Sequence, residues 1–440
     1  MLTPEENDLI ARVEGDAPMG QIFRRHWQPA LLSEEVPEPD CDPVRVRILG
    51  EDLVAFRDSD GKVGLVQEAC PHRGASLFYG RNEECGLRCI YHGWKFDVEG
   101  NCLEMASEPA ESSFCDKVKI TAYPVVEAAG FVWAYLGPRE TMPEFEPPVF
   151  QPTPDTRIST TKVIVEANWA QMLEGSIDSA HSSTLHSSDM VPARVPGAQS
   201  TGTQWQRPST DKSPRLVVQR TSYGFRYSAI RRPIKDANTH DYIRTTLFVA
   251  PGLVHIPPNN LHRSCTVHVP RDDGSTTFYF VVFGGETTPT QEDWRKFQAS
   301  RVGIDLDPTY RNLRNRANNY QQDRQAMKLG TFTGVKGISN QDVVMWESMG
   351  PIVKRHHDRL GASDLAIVEF RKQMVEAART MAAGGPAIGT TQPRIPLAKL
   401  SSFEGVVPKT EDWRKLGAMP EELAVTAEQE KTKAQQHAAE

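Results

Sequence analysis

The sequence predicts an α+β fold in two parts, a small all-β domain followed by a larger domain in which helices cover an antiparallel sheet. Three observations predict it. Residues from about 41 to 137 carry short runs of period-two alternation separated by turn signals. Four longer strand-like runs follow, around 215–232, 242–250, 262–270 and 277–284. Helix-forming segments flank those runs, and the last, over about 364–382, is clearly amphipathic.

Taken in order, residues 1–40 read as an N-terminal segment with a short helix and the entry Arg24-Arg25-His26-Trp27-Gln28-Pro29. Residues 44–49 alternate apolar and polar as a half-buried strand does. Runs at 53–56 and 63–66 follow, broken by Asp58-Ser59-Asp60-Gly61, and 131–135 closes a β domain spanning 41–150. The proline-rich stretch 138–154 reads as a connector. The larger domain, 151–360, opens with a helix over 168–186 and carries further helices near 290–302, 308–327 and 341–349. Residues 361–440 supply the amphipathic helix and a polar tail, whose last twenty residues lack aromatics.

Composition narrows the function. The 440 residues are 39% hydrophobic and 24% charged, enough apolar surface to offset chain entropy. A net charge of −7 argues against a nucleic-acid binder. No apolar run reaches the roughly 18–20 residues of a spanning helix, so no membrane role is expected. Residues 1–15 are acidic and polar, unlike a secretory signal, and a cytoplasmic location is expected. Seven cysteines do not make a disulfide scaffold in so long a chain. Cys70, Cys85, Cys89, Cys102 and Cys115 share one quarter of it, which points to metal.

Two short loops carry the first constellation, Cys70-Pro71-His72-Arg73-Gly74 and Cys89-Ile90-Tyr91-His92-Gly93-Trp94. The pattern is C-x-H, 16 residues, then C-x-x-H. Zinc would take all four ligands in one tetrahedron. A Rieske-type [2Fe–2S] cluster would give both cysteines to one iron and both histidines to the other. Each loop supplies one of each ligand type, which suits a cluster both loops can reach. Gly74 and Gly93 permit close backbone, and Trp94 can shield the site. Here the sequence resembles the Rieske proteins, whose paired loops have this form. Cys85, Cys102 and Cys115 lack a matching spacing and read as ordinary thiols.

The second constellation is Asp178, His181 and His186 within residues 168–186. On a helix Asp178 and His181 share a face. His186 lies five further on, so the helix must bend or end for both histidines to meet one metal. Following the Rieske loops, D-x-x-H-x-x-x-x-H resembles the catalytic motif of the Rieske non-haem iron ring-hydroxylating oxygenases. That resemblance implies mononuclear Fe(II) in a 2-His-1-carboxylate triad with open positions for dioxygen and substrate. Asp342 stands where the family places the carboxylate, with Glu347 as its competitor. It also implies that Asp178 bridges to a Rieske histidine of the neighbouring subunit. Glu174 reads as a packing or hydrogen-bonding residue.

The resemblance is nearest to the phthalate dioxygenase branch, through Trp27-Gln28-Pro29-Ala30-Leu31 and Glu347-Ser348-Met349-Gly350-Pro351-Ile352 among other phrases. It implies an oxygenase component without a small subunit, a homo-oligomer (trimer or stacked hexamer) and a separate NADH-dependent flavin and iron–sulfur reductase. The activity implied is cis-dihydroxylation of a phthalate-like aromatic carboxylate with O2. The alternative is a monooxygenase of the same architecture, an O-demethylase or aryl-ether-cleaving enzyme acting on a substituted benzoate. A carboxylate substrate needs fixed cations, and arginine holds a carboxylate bidentately. Arg207 and Arg244 match the substrate-binding positions; Arg231 and Arg232 are a weaker pair. The basic run 311–316 reads as a solvated helix face, or else a reductase-docking patch.

Overall fold

A computed structural model describes residues 2–109, 111–192, 205–257, 262–391 and 396–420. The expected polar tail, 421–440, lies outside the described residues. The chain divides into two units, residues 12–147 with 269–273, and residues 1–11, 148–268 and 274–440.

Alternation in the sequence becomes register in the smaller unit. Strand Val44–Ile48 pairs antiparallel with Glu51–Arg57, which pairs with Val63–Gln67. The turn between the last two is held by Asp58, whose Oδ1 accepts from the backbone N–H of Asp60 and Lys62. A four-stranded sheet over residues 81–105 and a three-stranded one, Trp27–Leu32 with Phe131–Tyr135 and Val125–Ala128, complete the unit. Phe56, Val66, Leu77, Leu87, Trp94 and Phe96 share its core with Cys70 and Cys89.

The larger unit is built on an eight-stranded sheet. Its order is Arg157–Val165, Thr276–Gly284, Arg263–Pro270, Leu253–Ile256, His240–Val249, Gly224–Arg231 and Arg215–Thr221, with Phe403–Pro408 paired to His240–Val249. Gly224–Arg231 is buried along its whole length, so side chains on both its faces are covered. Phe278, Phe280, Trp294, Val343 and Trp346 pack in one core. The Trp294 indole N–H donates to the carbonyl of Phe280, 3.0 Å away, which satisfies a polar group buried with the ring. Among the described residues no helix is long and apolar enough to cross a membrane.

Several expectations are corrected. The helix expected over 168–186 ends at Ser176. The segment 308–327 holds only a 3-10 stretch, Arg316–Gln321, and the short helix Arg324–Lys328. Its basic run 311–316 is largely exposed, as expected, but residues 311–315 are not helical; Arg311 pairs with Glu166 and Arg314 with Asp305, while Arg316 donates to the Glu347 carbonyl. Strands Arg157–Val165 and Phe403–Pro408 were not anticipated. Phe403–Pro408 extends the sheet of the larger unit from within the stretch read as helix and tail.

Candidate active site

The two cysteine–histidine loops fold alike because each closes the same way. Gly74 N–H donates to the Cys70 carbonyl and Gly93 N–H to that of Cys89, both at 2.9 Å. Both glycines hold φ near +77°, a conformation other residues adopt only with strain. The sulfurs of Cys70 and Cys89 point into the core, each residue 2% exposed, while Ile90 and Tyr91 are exposed at the tip. His72 and His92 sit with ring centroids 4.3 Å apart, and His72 stacks on Trp94 at 4.5 Å. Thiols therefore lie at the base and imidazoles at the rim, as a cluster with one cysteine-bound and one histidine-bound iron requires. Burial, then the neighbouring Cys89 thiol, push the Cys70 thiol up to about 11, so a strong cation is needed to draw off its proton.

In the larger unit a second set of ligand atoms converges. Helix Trp169–Ser176 is capped by the Asn168 side chain and ends where Asp178 opens a new turn. Asp178 Oδ1 accepts from the backbone N–H of Ala180 at 2.7 Å and of His181 at 3.3 Å, which sets the 3-10 turn His181–Ser183. The histidines are thus loop residues. His181 and His186 bring their Nε2 atoms within 3.2 Å of each other. Asp342, on helix Ile338–Ser348, places Oδ1 3.2 Å from His186 Nε2 and 3.6 Å from His181 Nε2. These three ligand atoms all lie within 4.8 Å of one another, close enough for a single ion. The set is the 2-His-1-carboxylate chemistry that holds non-haem Fe(II) with positions left open.

Supporting contacts leave one nitrogen of His186 available to an ion. Gln341 donates from Nε2 to Asp189 Oδ2, so its Oε1 accepts from His186 Nδ1 at 2.8 Å and leaves Nε2 of His186 as the ligand atom. Gln341 was not singled out from the sequence, although it adjoins Asp342. Gln341→Leu is expected to weaken metal retention about 10–100-fold, measured by competition with a chelator. Asp178 Oδ2 lies 3.5 Å from His181 Nδ1. Burial alone would lower the His181 pKa, but Asp178 and Asp342 outweigh it and raise it.

The pocket beside these ligands has apolar walls, Ile256, Phe278, Phe280 and Trp346, and two guanidiniums, Arg207 and Arg244. Both arginines are buried. Arg244 has one long bond, 3.4 Å to the Pro257 carbonyl. Arg231 is buried too, but it holds the Ser179 carbonyl at 2.7 Å instead of lining the pocket. Arg232, just past the end of that strand, is exposed. Among the described residues none of Arg207, Arg231 and Arg244 is in an ion pair within 4.0 Å, and the Nε of each is buried without a partner. Burial, then Arg244, lower the Arg207 pKa to about 9. Glu404, unforeseen from the sequence, is the register partner of Arg244 and accepts from the Tyr242 hydroxyl. A glutamate in the β-branched run Phe403–Pro408 was the only signal.

Other residues are placed elsewhere. Glu347 accepts from the Glu166 N–H and the Tyr320 hydroxyl, away from the metal ligands. Glu174 is buried between Arg355 and Arg371. Cys102 and Cys115, read as thiols without a matching partner, are in contact, sulfurs 3.2 Å apart. Burial and the adjacent Cys115 push the Cys102 thiol up to about 12, so it stays protonated at neutral pH.

Comparison with known proteins matches the chain in two parts. The family model for the Rieske [2Fe–2S] domain matches residues 26–124, and that described as LigXa C-terminal domain like matches 134–436. The phthalate 4,5-dioxygenase oxygenase subunit of Pseudomonas putida is 60% identical over 94% of each chain. The 3-chlorobenzoate-3,4-dioxygenase oxygenase subunit of Comamonas testosteroni is 35% identical over 87% of this chain and 90% of its own. Among solved structures, NdmA of Pseudomonas putida CBB5 with caffeine shares the fold, with a TM-score of 0.58, 18% identity, and coverage of 84% of this chain and 94% of that one.

Proposed function

Because the chain belongs to the Rieske ring-hydroxylating oxygenases, we propose that it cis-dihydroxylates an aromatic dicarboxylate of the phthalate type. The observation that carries this reading is the pair of buried guanidiniums, Arg207 and Arg244, lining an otherwise apolar pocket beside His181, His186 and Asp342. A buried cation without a counter-ion is costly, and an aromatic acid relieves that cost while its ring fills the apolar space. The arginines hold the carboxylates, Phe278, Phe280 and Trp346 hold the ring, and the filled pocket excludes water.

Fe(II) held by His181, His186 and Asp342 would supply dioxygen activation, and the Rieske cluster single electrons. Asp178, 22% exposed at its side chain and facing His181, is the residue on which a cluster histidine of a neighbouring subunit would close. The working enzyme is accordingly a homo-oligomer, trimer or stacked hexamer, served by an NADH-dependent flavin and iron–sulfur reductase.

The test is oxygen uptake with such a reductase and NADH over benzene carboxylates and methoxy- or phenoxybenzoates, using labelled dioxygen. The expected product is a diol carrying both labelled atoms, formed from phthalate. Arg244→Ala is expected to raise the KM for phthalate about 10–100-fold, the worth of one charge-assisted carboxylate contact. Incorporation of only one labelled atom, with formaldehyde released from a methoxybenzoate, would move the chain to the demethylases.

A further inference from the structure

The arginine at the pocket is hydrogen-bonded into the loop that carries the metal ligands. Arg207 Nη2 donates to Ser182 Oγ at 2.8 Å. Ser182 Oγ in turn donates to the Ser179 carbonyl at 3.0 Å. That same carbonyl accepts from Arg231 Nη2 at 2.7 Å. All four residues are buried, none above 8% exposed. Ser182 directly follows His181, and Ser179 sits inside the turn that Asp178 closes. A hydroxyl has one proton to give. Ser182 spends it on Ser179, so it meets Arg207 through a lone pair, and the chain runs one way from guanidinium to hydroxyl to carbonyl. Arg207 keeps a buried Nε without a partner, so its guanidinium still has a donor to offer.

We infer that Ser182 is a positioning residue which couples occupation of the carboxylate subsite at Arg207 to the placement of His181, so that substrate and metal raise each other's affinity. The inference rests on the reading of Arg207 as a carboxylate-binding residue. A carboxylate on the guanidinium fixes the atom that holds Ser182, and Ser182 with Arg231 then fixes the Ser179–Ala180 peptide, which leads directly into His181. Coupling of this kind is reciprocal: whatever the metal does for substrate affinity, the substrate does for metal affinity. Ser183 offers an internal control. It takes the other end of Arg207 at 3.3 Å but, among the described residues, makes no hydrogen bond onward to Ser179.

The experiment is equilibrium dialysis of radiolabelled phthalate against the full-length protein with its cluster intact, with and without Co(II) at the mononuclear site. In the parent protein Co(II) is expected to tighten phthalate binding about 5–10-fold, within the usual range of coupling between sites. In Ser182→Ala that ratio is expected to fall below about twofold. Ser182→Thr, which keeps the hydroxyl, and Ser183→Ala are expected to retain the parent ratio. Arg231→Lys breaks the fork at the far end, so it checks the result if Ser182→Ala does not accumulate, with the same loss expected. Direct attraction between metal and carboxylate would survive in Ser182→Ala. An unchanged ratio there, or no coupling in the parent, therefore overturns the inference. Arg207→Ala binding phthalate as well as the parent would instead overturn the carboxylate-subsite reading beneath it.

Discussion

Glu174→Ala is expected to lower the free energy of unfolding by about 3–5 kcal/mol, the cost of removing one partner from a buried ionic cluster. The Glu174 carboxylate takes the Nε atoms of Arg355 and Arg371, both at 2.8 Å. Arg355 is fully buried, and beyond Glu174 it reaches Asn7 Oδ1. Arg371 also reaches Asp358 at 2.7 Å. The cluster thus ties the N-terminal helix Pro4–Ala11, helix Trp169–Ser176 and helix Leu365–Ala382 at one buried point. Removing the carboxylate strands the Arg355 guanidinium, which cannot shed its charge, and leaves Arg371 with Asp358 alone. Urea midpoints of the parent and of Glu174→Ala, with unchanged slope, measure the loss.

The same cluster sets an acid limit. Burial alone would raise the Glu174 pKa, but the two guanidiniums outweigh it and hold the carboxyl below its ordinary value. A depressed folded pKa contributes stability that is complete above the unfolded value, about 4.3 for glutamate, and is lost as pH falls through the folded one. The gap between parent and Glu174→Gln should therefore be constant near neutrality and close only below about pH 4. A gap that closed near neutrality would mean the carboxyl is protonated in the folded protein.

Legibility followed the range of the contacts involved. Cys70, His72, Cys89 and His92 could be read because each pair sits in a loop of five residues closed by a glycine, a geometry local to the chain. His181 and His186 were readable as types, but not as a turn. The stretch has helical spacing, and only Asp178 capping its own downstream N–H groups ends the helix. Arg244 was legible through the family resemblance, whereas Glu404 opposite it was not, because strand register between distant segments has no local signature. The run 311–316 misled for a related reason. Arginine has good helix propensity, yet here each of Arg311, Arg314 and Arg316 is claimed by a specific tertiary partner.

Asp342→Ala is expected to lose the non-cluster iron and, with it, at least about a thousandfold in turnover, since one carboxylate completes the set that keeps the ion in place. The cluster ligands lie in the other compact unit, so the visible spectrum of the cluster should persist and iron content should separate the two centres. Glu347 is the necessary companion. It lies five residues on, about 140° round the same helix, and so on a different face. Its oxygens already accept from the Glu166 N–H at 3.1 Å and the Tyr320 hydroxyl at 2.8 Å. Glu347→Ala is therefore expected to retain iron and turnover while losing about 1–2 kcal/mol of stability through those two bonds. Iron lost from Glu347→Ala but kept by Asp342→Ala would transfer the third ligand to Glu347. That outcome would require the helix to turn by more than a third of a revolution, which the packing of Val343 and Trp346 in the core opposes.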